Sequence, residues 1–276
     1  MTPSAAAPPG GVVPRMGFGT WLRTGDEALA CIASAAEAGY RAFDTAERYG
    51  NEVEVGRGIA ATGLARDEVF VTSKVWWDHL APQAMRDAIR GSLDRLGMDR
   101  LDLYLIHWPS PGGEVAVESY IETLLQLQDE GLATHVGISN HTLALIGRAR
   151  DAAAGRPLAT NQVELHPFLQ NRRIAAACHA ASIPLTAYLP LARGRVAQDP
   201  ELAAIAAELG ATPAQVSLAF LMAEGHAVIP SSSKPARIVE NFGATRLALS
   251  PAQIDRLRGL DRGARFTDPG FAPAWD

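Results

Sequence analysis

The sequence predicts an α/β fold, a single (β/α)8 (TIM) barrel, and two observations lead to this prediction. Short runs of β-forming residues alternate eight times with longer segments of helical periodicity, a pattern typical of a parallel sheet whose strands are joined by helices. The 276 residues also contain no linker or internal repeat, and one such barrel needs about 250 residues. We therefore assign residues 14–276 to the barrel and residues 1–13, rich in Ala, Pro and Gly, to a disordered lead-in.

The predicted strands are short and apolar. The later ones are continuously apolar rather than alternating, as strands covered by helices on both faces are. In chain order the eight strands are residues 16–19, 41–44, 69–74, 101–107, 135–139, 159–163, 184–189 and 227–230.

Three helix starts carry a capping box, in which an N-cap Ser or Thr is followed three residues later by Glu or Gln. The boxes are residues 24–27, 212–215 and 250–253, and the last two have Pro at the first helical position. We expect the first helix to end at Gly39 and a further helix over residues 114–128.

A doubly wound sheet that binds a dinucleotide is the competing fold. It would need the motif G-x-G-x-x-G directly after the first strand. Gly17 and Gly19 fit that motif, but Leu22 stands where the third glycine is required. The sequence therefore favours the closed barrel, whose active site lies at the carboxyl ends of the strands.

Composition argues against several classes of partner. The net charge is −5 with both signs mixed along the chain, and no basic block indicates nucleic acid or a membrane surface. No apolar run approaches the roughly 18 residues of a membrane span. Cys31 and Cys178 are expected to be buried free thiols, and no secretory signal is evident. We expect a monomer in the reducing cytoplasm that acts on a small molecule.

Polar or aromatic side chains stand at the carboxyl ends of strands two to eight. Taken singly, each has an ordinary explanation: a turn cap, a solvated charge or a core histidine. Together they indicate an active site. The seven histidines form no H-x-H or H-E-x-x-H motif and the cysteines no ligand pair, so no metal site is predicted. The strand-end residues are Asp44, Lys74, His107, Ser139, Asn140, Gln162, Tyr188, Ser231, Ser232 and Ser233.

A family resemblance runs from about residue 14 to the end of the chain. The motifs that carry it are GFGTW (17–21), FDTA (43–46), YGNE (49–52), TSK (72–74), LIHWP (105–109), GISN (137–140), NQVE (161–164) and RIVEN (237–241). Together they resemble the aldo-keto reductases. Within that family, PSSSK (230–234) and the tail at 268–276 look most like the bacterial 2,5-diketo-D-gluconate reductases of the B type and methylglyoxal reductases.

The resemblance implies a catalytic tetrad of Asp44, Tyr49, Lys74 and His107. Tyr49 would protonate the carbonyl oxygen, and an ordinary tyrosine, with a pKa of about 10, is a poor acid at neutral pH. We expect the ammonium of Lys74 to favour the phenolate and so make Tyr49 a better donor. Asp44 would pair with Lys74, and His107 would orient the carbonyl oxygen.

The resemblance also implies NADPH as the cofactor. Tyr188 would stack on the nicotinamide, and Ser139, Asn140 and Gln162 would hold its carboxamide. After strand eight, Lys234 and Arg237 would bind the 2′-phosphate, while Glu240 and Asn241 lie near the adenine. The other implied cofactor-binding residues are Thr20, Trp21, Leu189, Leu191, Ser231, Ser232 and Ser233.

Two positions depart from the family pattern. Leu189 replaces a serine that many relatives have after the stacking tyrosine, which removes one cofactor hydrogen bond. Ser231 replaces a lysine, which weakens the preference for NADPH, although Lys234 offers a substitute cation. NADH therefore remains a possible cofactor.

The implied substrate pocket is aromatic. Trp21, Trp76 and Trp108 would line it with His107, and Trp275 in the tail would lie nearby. Such walls suit small aldehydes and ketones, including keto-sugar acids, methylglyoxal and aromatic aldehydes. Two alternatives are a lyase that forms a Schiff base on Lys74 and a non-catalytic cofactor-binding regulator. The complete tetrad favours the reductase.

Overall fold

A computed structural model describes residues 11–276 of the chain. Most of the predicted lead-in, residues 1–10, lies outside the described residues. Val13 is buried in a small apolar cluster with Leu103, Leu105, Ala159 and Ala227. The barrel core therefore covers the side chain at the last position of the predicted lead-in.

Eight parallel strands form one sheet in the order of the chain. A parallel bridge joins Met16 to Val228, and the Val228 N–H donates to the Arg15 carbonyl at 2.9 Å, so the last strand meets the chain at the start of the first. This arrangement confirms the predicted (β/α)8 barrel. The strands are β1 (Gly17–Gly19), β2 (Ala42–Asp44), β3 (Phe70–Val75), β4 (Leu101–Ile106), β5 (Ala133–Ser139), β6 (Asn161–Glu164), β7 (Leu185–Tyr188) and β8 (Ala227–Val228).

Helices connect the strands and cover the outside of the sheet. Short 3-10 turns also occur, of which Glu47–Tyr49 and Ala192–Gln198 matter most for the site. The α-helices of the described residues are α1 (Gly25–Ala38), α2 (Glu52–Ala61), α3 (Pro82–Leu96), α4 (Val117–Asp129), α5 (Leu143–Ala152), α6 (Arg172–Ala180), α7 (Pro200–Leu209), α8 (Pro213–Ala223), α9 (Pro235–Gly243) and α10 (Pro251–Arg258).

Two of the three predicted capping boxes form. Thr212 and Ser250 cap α8 and α10, each with reciprocal bonds to a glutamine three residues on. The box predicted at 24–27 is wrong: Thr24 is the N-cap of α1 but makes no side-chain cap bond. The Glu27 carboxylate lies 2.8 Å from the guanidinium of Arg23, so it does not return to the N-cap N–H.

Burial follows the predicted pattern in the strands, and α8 is also buried along much of its length. Val216 to Met222 of α8 are buried without interruption, which explains why this helix is apolar on every side. Cys31 and Cys178 are buried free thiols, as predicted. Within residues 11–276 no single helix is long and apolar enough to span a membrane. The pair α7 and α8 reaches that length and composition only together, with an 88° bend between them.

The strand register brings the carboxyl ends of the strands to one rim of the barrel. Asp44 is the last residue of β2, Lys74 lies one residue before the end of β3, and His107 directly follows β4. Gln162 lies inside β6 rather than at its end, because the strand continues to Glu164. The site is therefore built on short, buried strands whose backbone hydrogen bonds fix each side chain.

Candidate active site

Lys74 and Asp44 form a buried ion pair at the centre of the rim. The Lys74 Nζ lies 2.5 Å from Asp44 Oδ1 and 2.8 Å from the carbonyl oxygen of Thr45, and the lysine side chain is fully buried. Burial lowers the pKa of Lys74, while the Asp44 carboxylate acts in the opposite direction. The predicted pairing of these two residues is confirmed.

Asp44 is held from two further sides. Its second carboxylate oxygen accepts from Gln162 Nε2 at 2.8 Å, across the barrel from β6. Its carbonyl oxygen accepts from the backbone N–H of Thr20 at 2.9 Å and from the Thr20 hydroxyl at 3.0 Å. Thr20 is thus fully buried behind the site. The sequence did not predict the Gln162–Asp44 bond, because its partners are 118 residues apart.

Tyr49 lies at the end of the 3-10 turn that follows β2. Gly50 closes the turn with a φ of +67°, a conformation that glycine adopts without strain. The Tyr49 hydroxyl lies 3.4 Å from Lys74 Nζ, and its ring packs edge-on against His107 with centroids 5.6 Å apart. The turn therefore brings the phenol to both the ammonium and the imidazole.

The pKa of Tyr49 is not lowered in the way that the nearby ammonium of Lys74 alone would predict. Burial raises the pKa of Tyr49 well above 10, and the charge of Asp44 raises it further. The ammonium does not prevail because it is paired with Asp44 at 2.5 Å, so the field of the pair on the phenol largely cancels. Tyr49 consequently keeps its proton at neutral pH.

His107 is a buried, neutral imidazole. Its backbone N–H donates to Val75 at 3.0 Å, its side chain is 8% exposed, and its Nδ1 has no partner among the described residues. Burial lowers the pKa of His107 well below 6.5, and the Lys74 charge lowers it further. A neutral histidine can donate one N–H while remaining uncharged.

The tetrad borders a cavity of about 1260 Å³ that Tyr49, His107 and Asp44 line. Aromatic rings form the wall beside them: Trp76 packs edge-on against His107 at 5.1 Å, and Trp108 lies farther along. Trp21 also lines the cavity and is 43% exposed. Lys74 does not line the cavity, because Tyr49 and Asp44 cover it.

Phe271 completes the aromatic wall, and the sequence analysis did not identify it. Its ring lies 5.4 Å from both Trp76 and Trp108, edge-on to each. Trp275 lies outside this contact, 5.9 Å from Trp108, near the site as expected. The only sequence signal for Phe271 was its place in a tail that resembles those of relatives.

Glu164 at the end of β6 holds this tail in place, a third feature that the sequence did not predict. Its buried carboxylate accepts from the backbone N–H groups of Phe266 at 2.7 Å and Thr267 at 2.8 Å. His166 Nε2 lies 3.0 Å from the same carboxylate. These bonds to a rigid strand fix where the tail crosses the cavity and so where Phe271 meets the pocket.

A connected group of polar side chains lines the cavity beside the tetrad. The Tyr188 hydroxyl donates to Asn140 Oδ1 at 2.8 Å, and Asn140 Nδ2 donates to the His107 carbonyl at 2.9 Å. The Ser139 hydroxyl donates to the Gln162 carbonyl at 2.6 Å. This end of the cavity thus offers a tyrosine ring together with amide and hydroxyl groups.

The far end of the cavity lies at the start of α9. Arg237 is exposed there, and Glu240 accepts from the Thr212 hydroxyl at 2.8 Å. Ser233 and Lys234 do not line the cavity; Lys234 is the exposed N-cap of α9. The remaining predicted cofactor residues that line the cavity are Leu189, Leu191, Ser231, Ser232 and Asn241.

One continuous cavity therefore has a polar, aromatic end at the tetrad and a second end at α9 that Arg237 and Glu240 line. Its volume and donor set fit a dinucleotide with a small substrate beside it. Within residues 11–276, no three His, Cys, Asp or Glu side chains are grouped so that they could hold a metal ion.

The chain is similar to known proteins over nearly its whole length. The model of the aldo/keto reductase family matches residues 15–262. Methylglyoxal reductase DkgB of Escherichia coli O157:H7 is 42% identical over 96% of this chain and 99% of its own length. An aldo-keto reductase of Mycobacterium ulcerans is 39% identical over 96% of this chain and 94% of its own.

The fold of the chain is also similar to those of solved structures. A protein described as a candidate 2,5-diketo-D-gluconic acid reductase B superposes with a TM-score of 0.93 and 35% identity, covering 99% of this chain and 96% of its own. The aldose reductase of Schistosoma japonicum superposes with a TM-score of 0.88 and 30% identity, covering 95% of each chain.

Proposed function

Because the chain belongs to the aldo/keto reductase family, whose members are NAD(P)H-dependent oxidoreductases, we propose that it uses NADPH to reduce small aldehydes and ketones to alcohols. The observation that carries the proposal is the contact of Tyr49 with Lys74 and His107 at the wall of one long cavity. The bound cofactor would supply a hydride to the carbonyl carbon.

The residues of the tetrad would handle the oxygen of the same carbonyl. Tyr49, which keeps its proton at neutral pH, delivers it to the oxygen as negative charge develops there. His107, uncharged, donates a hydrogen bond that orients the oxygen and stabilises that charge. The Asp44–Lys74 pair holds the phenol in place through the 3.4 Å contact, and the tyrosinate would regain its proton from water in the cavity before the next turnover.

The rest of the cavity would hold the cofactor. The ring of Tyr188 and the polar groups of Asn140 and Ser139 suit the nicotinamide and its carboxamide. Arg237 at the start of α9 suits the 2′-phosphate that distinguishes NADPH from NADH. Ser231, exposed in the same segment, supplies no charge there.

The aromatic wall favours small or flat substrates. Trp76, Trp108 and Phe271 surround the space beside His107, which suits methylglyoxal, keto-sugar acids and aromatic aldehydes. A Schiff-base lyase is not favoured, because the Lys74 amine is buried in an ion pair and does not reach the cavity.

The proposal is tested by offering the purified protein a panel of these carbonyl compounds with NADPH and, in parallel, with NADH. Consumption of the reduced nicotinamide is followed by its absorbance, and the alcohol product is identified. We expect turnover of several members of the panel. If no carbonyl compound is reduced with either cofactor, although both bind, the proposed activity is refuted.

The dependence of kcat/KM on pH should show no step caused by protonation of His107. An ordinary histidine gains charge as the pH falls through about 6.5, but the lowered pKa of His107 keeps the imidazole neutral there. The raised pKa of Tyr49 keeps the phenol protonated as the pH rises to 8. We therefore expect kcat/KM for a neutral aldehyde to vary less than about threefold between pH 6 and 8. A steeper change that disappears in His107→Gln would contradict the neutral imidazole.

Cofactor choice should depend on Arg237. Removing its guanidinium takes away a charge-assisted, forked contact to the 2′-phosphate, worth about 1.5–3 kcal/mol. Arg237→Ala should therefore raise the Kd of NADPH roughly ten- to a hundredfold. NADH lacks the phosphate, so its Kd should barely change. Both constants are measured by quenching of protein fluorescence.

Two further variants serve as controls for this segment. Lys234→Ala should act in the same direction but more weakly, because Lys234 is an exposed point charge that does not line the cavity. Ser231→Lys should tighten NADPH by restoring a cation. Equal weakening of NADH and NADPH by Arg237→Ala would instead assign Arg237 a structural role.

A further inference from the structure

We propose that Arg48 is a specificity-determining residue that binds a carboxylate of the substrate. Among small carbonyl compounds, the enzyme would then prefer those that carry a negative charge. The inference rests on the proposed function and defines the substrate class of the same site. Arg48 directly precedes Tyr49 in the 3-10 turn Glu47–Tyr49, and its side chain lines the cavity.

The position of the guanidinium relates it to the tetrad. Its central carbon lies 5.4 Å from the centroid of the Trp76 ring. The same ring packs edge-on against His107 at 5.1 Å and against Phe271 at 5.4 Å. A single aromatic residue therefore lies between the cation and the imidazole. A guanidinium over a ring keeps its N–H groups available at its edge, where a carboxylate can accept two of them.

Apart from its contact with the Trp76 ring, the guanidinium of Arg48 is not engaged by the described residues. Among residues 11–276, no carboxylate oxygen lies within 4.0 Å of it, and it donates no hydrogen bond. The adjacent Glu47 is occupied elsewhere: its carboxylate accepts from the backbone N–H of Trp76 and lies 3.3 Å from His79 Nδ1. Glu47 therefore does not neutralise the charge of Arg48 on the cavity side.

Three other charged side chains on the cavity wall, those of Asp44, Asp268 and Arg193, have partners. The Asp44 carboxylate is in the buried ion pair, and Asp268 accepts from the indole N–H of Trp275 at 2.9 Å. Arg193 donates to the carbonyl of Phe266 at 3.1 Å. The cation beside the aromatic wall is therefore the one that remains free to meet an anionic substrate near the tetrad, whereas Arg237 lies at the α9 end.

The size of the effect follows from the exposure of Arg48. A charge-assisted hydrogen bond in a partly solvated pocket should change substrate affinity roughly five- to thirtyfold. The contact is made to a part of the substrate that does not react and is equal in the ground and transition states, so it should alter KM and leave kcat nearly unchanged. Added salt should weaken it by screening.

The experiment compares 4-carboxybenzaldehyde with its neutral methyl ester, methyl 4-formylbenzoate, at saturating NADPH. Wild type and the variants Arg48→Gln and Arg48→Glu are measured with both substrates. Arg57→Gln is the matched control, because Arg57 lies exposed on α2 and lines no part of the cavity. The control makes the same change in net charge.

We expect the wild type to favour the carboxylate, Arg48→Gln to raise KM for it roughly five- to thirtyfold, and Arg48→Glu to reverse the preference. The ester should be affected by less than about twofold, and Arg57→Gln should resemble the wild type. Equal effects of Arg48→Gln on both substrates, or equal KM values in the wild type, would overturn the inference while leaving the reductase activity intact. Turnover of neither substrate, or of any other carbonyl compound, would instead count against the proposed function.

Discussion

Tyr49→Phe should lower kcat by about 10²–10⁴-fold while cofactor binding persists. The variant keeps the ring, which packs against His107 at 5.6 Å, and removes only the hydroxyl that lies 3.4 Å from Lys74 Nζ. Among residues 11–276 no other protonated group contacts both Lys74 and the cavity, so water would have to deliver the proton to the carbonyl oxygen. The measurement is kcat for a good substrate, together with the Kd of NADPH.

Tyr104→Phe provides the matched control. Tyr104 is a fully buried tyrosine of β4 whose hydroxyl has no hydrogen-bond partner among the described residues, and it does not line the cavity. Deleting an unsatisfied hydroxyl is nearly neutral for stability, so kcat should stay close to the wild-type value. Near-wild-type kcat in Tyr49→Phe would refute Tyr49 as the proton donor.

Lys74→Met should abolish most of the activity, with kcat reduced by at least about a hundredfold. The substitution removes the ammonium beside Tyr49 and leaves Asp44 in the buried site without its cation. Breaking a buried ion pair on one side also costs about 3–5 kcal/mol of stability. Activity and thermal unfolding must therefore be measured together.

Two companion variants separate folding from catalysis. Asp44→Asn alone should cost less activity than Lys74→Met, because an amide can still accept a hydrogen bond from the lysine. The double variant Asp44→Asn with Lys74→Met contains no unpaired charge and should regain stability without regaining activity. Recovery of activity in the double variant would mean that Lys74 acts only on stability. An unimpaired Asp44→Asn would remove support for the pairing role of Asp44.

Much of the site follows from local sequence because of one property of the barrel. Parallel strands deliver the residues at their carboxyl ends to a common rim, so Asp44, Lys74 and His107 could be grouped from their places in the chain alone. Tyr49 needed the family resemblance, because it lies on a turn after the strand rather than at the strand end. The capping box at Thr24 was wrong because a nearby arginine, which the motif ignores, binds the glutamate.

Periodicity and short motifs are local properties of the chain, so they were enough to predict the eight-stranded barrel and the family and to propose the four residues of the tetrad. The burial and charge of those four residues depend on how the chain packs. Burial and the charge of Asp44 raise the pKa of Tyr49, contrary to the expectation from a free ammonium nearby. The tertiary structure also brings Phe271 to the pocket, because Glu164 binds the backbone of the tail at Phe266. Glu164 and Phe266 are about a hundred positions apart in the chain. Distance along the chain carries no information about such contacts, because packing alone makes distant residues neighbours.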